Sequence, residues 1–305
     1  MQTKRLVIIV DRRPVVQRLR DVNLSVEAAS WGFSENPASR TGHREGRRYW
    51  QRAGRPVGGG LRVDADEADG AGPGTVPAWV ISLAVIAAVS YGTFLLEHAL
   101  SPELDRVNGY VSELSASDQP YHLIYSGGDL VTGVLTIVVS LGSLRRLRRR
   151  PLATTGWAFL GLFGVCAIGD ATFPLDCAPS LETWCALRER SENVSFSHEF
   201  HSVTSSAVIV CGVIALFTLS MAARRYGWWP ALARWGWLLA LAETVFALST
   251  LLAMYMGQWL GIIQRVQITI LCLGLLTIAW SLHADRRDAA RAARGVPSAR
   301  EKTPL

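Results

Sequence analysis

Residues 202–225 read SVTSSAVIVCGVIALFTLSMAARR, twenty-one uncharged residues from Ser202 to Ala222 followed closely by Arg224 and Arg225. A helix rises about 1.5 Å per residue, so a run of this length crosses the roughly 30 Å hydrocarbon core of a bilayer. In oil every backbone N–H and C=O must find its partner inside the segment, which a helix provides and a lone strand does not. Five more blocks share this character, 76–96, 123–144, 152–172, 235–256 and 259–282. The first is uncharged, and the others admit one ionisable residue each: Asp129, Asp170, Glu243 and Arg265. The expected fold is all-α, a polytopic bundle of six transmembrane helices over 76–283.

The rest of the chain supports that reading. Half of the 305 residues are hydrophobic although 31 are Lys or Arg, so greasy and basic residues must be segregated, and they are. Arginines gather between blocks and in the tails. The second loop holds Arg145, Arg146, Arg148, Arg149 and Arg150, the fourth holds Arg224, Arg225 and Arg234, and the C-terminal tail 284–305 adds six more Lys or Arg. The first, third and fifth loops hold only Arg106, Arg188 and Arg190, against ten Asp or Glu. Positive residues are retained in the cytoplasm, so both termini are expected inside a cell membrane and the long first and third loops outside. The net charge of +6 then reads as topology and as attraction to anionic lipid head groups. No basic stripe interleaved with aromatics appears, so nucleic acid is not an expected partner. Aromatic residues near the span ends (Trp79, Tyr226, Trp228, Trp229, Trp235, Tyr255, Trp259, Trp280) suit interfacial belts. Residues 1–75 mix Arg, Gly, Ser and acids without periodicity and are expected to form a disordered cytoplasmic tail, unless translation starts further along. The apolar run Leu6–Val10 is too short for a cleaved signal.

An ionisable group inside a membrane costs on the order of 3 kcal/mol, so each needs a reason. Asp129, Asp170 and Arg265 all fall in the outer half of the bilayer by this topology. Arg265 is expected to pair with Asp129 or Asp170, with Gln264 and Gln267 completing the hydrogen bonds; a purely structural ion pair is the plain alternative. Ser112, Glu113, Asp176, His198 and His201 lie just above that depth and complete a candidate outer cavity. His198 and His201 share a helix face, so with Asp170 or Asp176 they offer a zinc-ligand set able to activate water, although the spacing misses the HExxH pattern by one residue. Ordinary solvated histidines are the simpler reading, and no cofactor is expected. Cys177 and Cys185 close a short ring in a loop placed in the oxidising compartment and are expected to form a disulfide. Cys166, Cys211 and Cys272 read as small packing residues.

Several short motifs then matter together: VSELSA at 111–116, Gly169-Asp170 with FPLD at 173–176, the histidines opening the fourth block, and Gly261 with QRV at 264–266. On these the chain from about Val76 to Leu282 resembles the DUF998 proteins, multi-pass prokaryotic membrane proteins of uncharacterised function. It is more faintly similar to Frag1/DRAM-like membrane proteins. The resemblance implies six helices and supplies no reaction. Three functions remain open: a non-enzymatic protein whose outer cavity binds, transports or senses a small or lipidic ligand, which is favoured; a metal-dependent membrane hydrolase or lipid-modifying enzyme, whose Ser, Asp and His pattern resembles ceramidase-like hydrolases; and a structural assembly partner.

Overall fold

The computed structural model describes residues 72–294; the expectations for residues 1–71 and 295–305 lie outside them. Six helices are long and apolar enough to cross a membrane: α1 Ala78–Leu100, α2 His122–Arg146, α3 Pro151–Thr172, α4 Phe196–Tyr226, α5 Leu232–Met256 and α6 Leu260–Ala292. No strand occurs among the described residues. Local chemistry sets the ends. Pro151 opens α3, where its missing N–H costs nothing. The Ser195 hydroxyl caps α4 by accepting the N–H of His198 at 3.3 Å. Gly227 and Gly257, at φ +66° and +67°, stop α4 and α5 in the left-handed conformation.

Three helices outrun their apolar blocks. α4 starts at Phe196 instead of 202 because a capped polar turn continues the helix beyond the greasy residues. α6 runs to Ala292, with Arg286, Arg287 and Arg291 in its last turns, where positive charge suits the carbonyl end of the helix dipole. α1 tightens into a 3₁₀ stretch at Gly92–Leu96 and then makes one more α turn, Glu97–Leu100, which brings Glu97 into the span.

The short loop 147–150 turns α2 back onto α3, and α6 closes the ring by packing on α1 as well as on α5. The bundle thus has an arginine end, with loops 147–150 and 227–231, and a disulfide end, with loops 101–121, 173–195 and 257–259. In the arginine half the interior is filled. Trp157 and Trp229 meet edge to face at 5.9 Å among Leu219, Leu232, Ile278 and Leu282. Trp228 and Trp229 are therefore core residues and not the interfacial anchors expected of them; the 227–231 turn folds them inward. Trp79, Trp235, Tyr255, Trp259 and Trp280 remain exposed at the periphery. Leu123, Val89, Leu251 and Leu248 face outward at 74%, 69%, 65% and 63% exposure. Each would forfeit about 1.5–3 kcal/mol of burial in water and forfeits nothing in lipid.

Small residues let the helices touch. A Cβ on Gly133 in α2 would lie 2.5 Å from the Gly164 carbonyl oxygen in α3, and a Cβ on Gly164 would lie 2.5 Å from that of Gly133.

Candidate functional site

The disulfide end is roofed by its two long loops, which are tied to each other and to α6. Glu113, in the 3₁₀ turn Val111–Ser115, is fully buried. It accepts the Tyr110 N–H at 3.0 Å and the Ser180 N–H at 3.1 Å, and also a hydrogen bond from the Ser180 hydroxyl. The Ser117 N–H reaches the Leu175 carbonyl at 2.9 Å, and the Val111 N–H reaches Gln264 Oε1 at 2.9 Å. Cys177 is bonded to Cys185, joining the loop to the short helix Thr183–Arg190, with Cα atoms 6.0 Å apart.

Two carboxyls in this roof titrate in opposite senses. Burial is the largest influence on Glu113 and pushes it above its ordinary value, outweighing the hydrogen bonds from Ser180 and Tyr110. Burial also works upward on Asp176, but there the hydroxyl and N–H of Ser195, with His198 and Arg188 nearby, win and hold it below its ordinary value. The Glu113 contribution to stability is complete below the unfolded value of about 4.3 and is lost as pH rises through the folded one. That of Asp176 is complete above its unfolded value of about 3.9 and is lost as pH falls through the folded one. Glu113→Gln is expected to flatten the fall in thermal midpoint above about pH 4.3 while leaving the acid limb intact. An unchanged alkaline slope in a detergent melt of the variant would refute this.

Beneath the roof lies a cavity of about 90 Å³. α1 contributes Tyr91, Thr93 and Phe94, α2 Tyr125 and Asp129, α3 Asp170, α4 His201 and Ser205, and α6 Gln264 and Gln267; Ser112 closes it from the roof. Tyr91 meets Phe163 edge to face, with ring centroids 5.5 Å apart. Asp170 Oδ1 accepts hydrogen bonds from the Thr204 hydroxyl and, at 3.0 Å, from that of Ser205. Asp129 makes no hydrogen bond among the described residues. His201 Nδ1 lies 2.9 Å from the Phe173 carbonyl oxygen and 3.9 Å from Asp170 Oδ1. A carbonyl only accepts, so Nδ1 carries a hydrogen and Nε2 is the nitrogen left for another partner. That Nε2 is buried without a partner.

Arg265 does not pair with Asp129 or Asp170. Its Nε donates to Glu97 Oε1 at 2.9 Å and its Nη2 to Oε2 at 2.5 Å, while Nη1 reaches the Gly261 and Gly109 carbonyls at 2.9 and 3.2 Å. Two parallel bonds to one planar carboxylate are the geometry guanidinium favours, and Glu97 is 2% exposed, so the pairing is a buried fork. Gly261 permits it: a Cβ there would lie 2.5 Å from the Gly109 oxygen and 2.9 Å from Arg265 Nη1. Glu97 follows directly on an uncharged block, at the same end as Arg265, and that was the available signal for this partner. Gln264 and Gln267 also serve elsewhere: Gln264 anchors the roof, and Gln267 accepts the Thr250 hydroxyl at 2.5 Å and points Nε2 toward Glu243 Oε1 at 3.5 Å.

The zinc grouping of His198, His201 and Asp170 is not formed. His198 Nδ1 accepts the Asp176 N–H at 3.2 Å, so its Nε2 carries the hydrogen, 3.8 Å from Glu189 Oε1. One histidine is thus tied into the roof and the other into the cavity wall, and no three His, Cys, Asp or Glu side chains among the described residues are grouped to hold a metal ion. Of the residues expected in the cavity, Ser112, Asp129, Asp170, His201 and Gln264 line it. Glu113, Asp176 and His198 build the roof, and Arg265 locks α6 to α1. Tyr91 and Ser205 on the wall, and Thr204 as a donor to Asp170, are residues that sequence reasoning missed, being hydroxyls common in any span.

Six apolar helices with a polar cavity under a cross-linked roof define a polytopic helical membrane protein. The family model described as Protein of unknown function (DUF998) matches residues 68–281, and the chain belongs to that family. No curated protein and no solved structure matches the chain.

Proposed function

We propose that this chain is a binding protein of the cell membrane, taking a small ligand or a lipid head group into the cavity beneath the roof, for transport or sensing. One observation carries this reading: Asp129, Asp170 and His201 line one cavity within the spans, while Asp129 makes no hydrogen bond among the described residues and no Lys or Arg lines the wall. Ionisable groups at such depth cost on the order of 3 kcal/mol each, and packing does not need them. By the charge bias of the loops the roof faces outward and the arginine end meets anionic lipid on the cytoplasmic side.

Filling the cavity tests the reading. Ile209, on the wall, becomes Trp in a variant expected to stay folded, by its melting profile, and to lose the small molecule that native mass spectrometry detects on the detergent-purified protein. If neither protein retains or binds any small molecule, cationic, anionic or neutral, the reading fails. Orientation is tested separately with Arg149→Cys, which a membrane-impermeant maleimide is expected to miss in intact cells and label after permeabilisation.

A further inference from the structure

The chemistry of this wall also selects among ligands. Resting on the binding reading above, we propose that the cavity takes a small organic cation, a protonated amine seated on Asp129, Asp170 and His201. The nearest strong cation is already committed: three guanidinium nitrogens of Arg265 are bonded to Glu97 and to two backbone carbonyls. An anion entering the cavity would therefore meet two carboxyl groups and no Lys or Arg.

Hydrogen-bonding capacity points the same way. Asp129 makes no hydrogen bond among the described residues, Asp170 accepts through Oδ1 alone, and His201 Nε2 has no partner, so the wall offers carboxyl oxygens and a ring nitrogen to a donor. An ammonium group has three N–H donors and no acceptor, so it complements that set, whereas a carboxylate or phosphate does not. The rings of Tyr91 and Phe94 line the same space and offer faces that attract a cation. A metal ion would need the carboxyls and imidazole grouped as ligands, and they are not. Size adds a limit. A cavity of about 150 Å³ accepts benzene, so 90 Å³ suits a group of about four non-hydrogen atoms. A free amine and the head group of an aminolipid share this chemistry.

The test uses the full chain in neutral detergent near pH 7, with ethanolamine as the cation and two probes of the same size, neutral ethylene glycol and anionic acetate, as comparators. Calorimetry is expected to show ethanolamine binding at least about tenfold more tightly than either. Asp129→Asn and Asp170→Asn are each expected to weaken ethanolamine by about tenfold or more, while Ser206→Ala, on the outer face of α4, leaves it unchanged. The three-probe comparison on the unaltered protein decides the matter even if an aspartate variant does not fold. Nanodiscs then separate the sources: competition by phosphatidylethanolamine but not phosphatidylglycerol assigns the amine to a lipid, and its absence assigns it to a free solute. Acetate or ethylene glycol binding as tightly as ethanolamine, or stoichiometric zinc displacing it, overturns the amine and leaves a binding cavity standing. No binding by any probe overturns both.

Discussion

Arg265→Leu is expected to cost about 3–5 kcal/mol of stability, because it leaves Glu97, only 2% exposed, as a buried carboxylate without its partner. Arg106 offsets only part of the lost cation, since its Nε stands 4.0 Å from Glu97 Oε1, too far for a hydrogen bond, on a side chain 38% exposed. Glu97→Leu is expected to cost about as much for the mirror reason, with the guanidinium stranded between carbonyls that neutralise no charge. The double variant separates ion pairing from packing. Removing both charges removes both stranded groups, so it is expected to recover more than half of the single-variant loss. Recovery should stop short of completion, because the Gly109 carbonyl loses a donor and an unsatisfied buried acceptor costs about 1–3 kcal/mol. Unfolding of the four proteins in mixed micelles measures the coupling. Additive losses would show that the fork contributes no pairwise energy.

Gly164→Ala is expected to be the next most damaging change and to act through backbone alone. Its added carbon would lie 2.5 Å from the Gly133 carbonyl and 2.5 Å from the Thr136 hydroxyl, and the carbonyl cannot rotate away. α2 and α3 must separate locally, and overpacking of this kind costs about 1–3 kcal/mol, occasionally more. Gly127→Ala supplies the contrast. It sits in α2 with nothing within 4 Å of its would-be Cβ, so alanine there should be neutral or stabilising by up to about 1 kcal/mol through helix propensity. A melt in which the two variants shift equally would remove the close helix contact as an explanation. The cavity should register the change too, since Asp129 and Asp170 stand on the two helices that move.

Position along the bundle was legible residue by residue. The positions of Asp129, Asp170 and Arg265 along their blocks placed them at one end of the bundle, and the structure puts them there. Azimuth was not legible. His198 and His201, three apart, share a face in any helix, yet the loop 173–195 passes between their uses and supplies the Asp176 N–H to one and the Phe173 carbonyl to the other. Trp228 and Trp229 follow a span in the manner of interfacial anchors, and only the turn at Gly227 sends them into the core.

The sequence by itself determined that six segments coil and that charge alternates between the two ends. Both follow from local requirements, backbone satisfaction in oil and the solvation of arginine, that each segment meets alone. Only the tertiary structure decided that Arg265 belongs to Glu97, and so that the carboxyl groups of the cavity keep no arginine of their own. Partner choice depends on the rotation and axial offset between helices distant in sequence. Those are set where Gly133 meets Gly164 and where Gly261 meets the first loop, contacts between backbones that no pattern of hydropathy encodes.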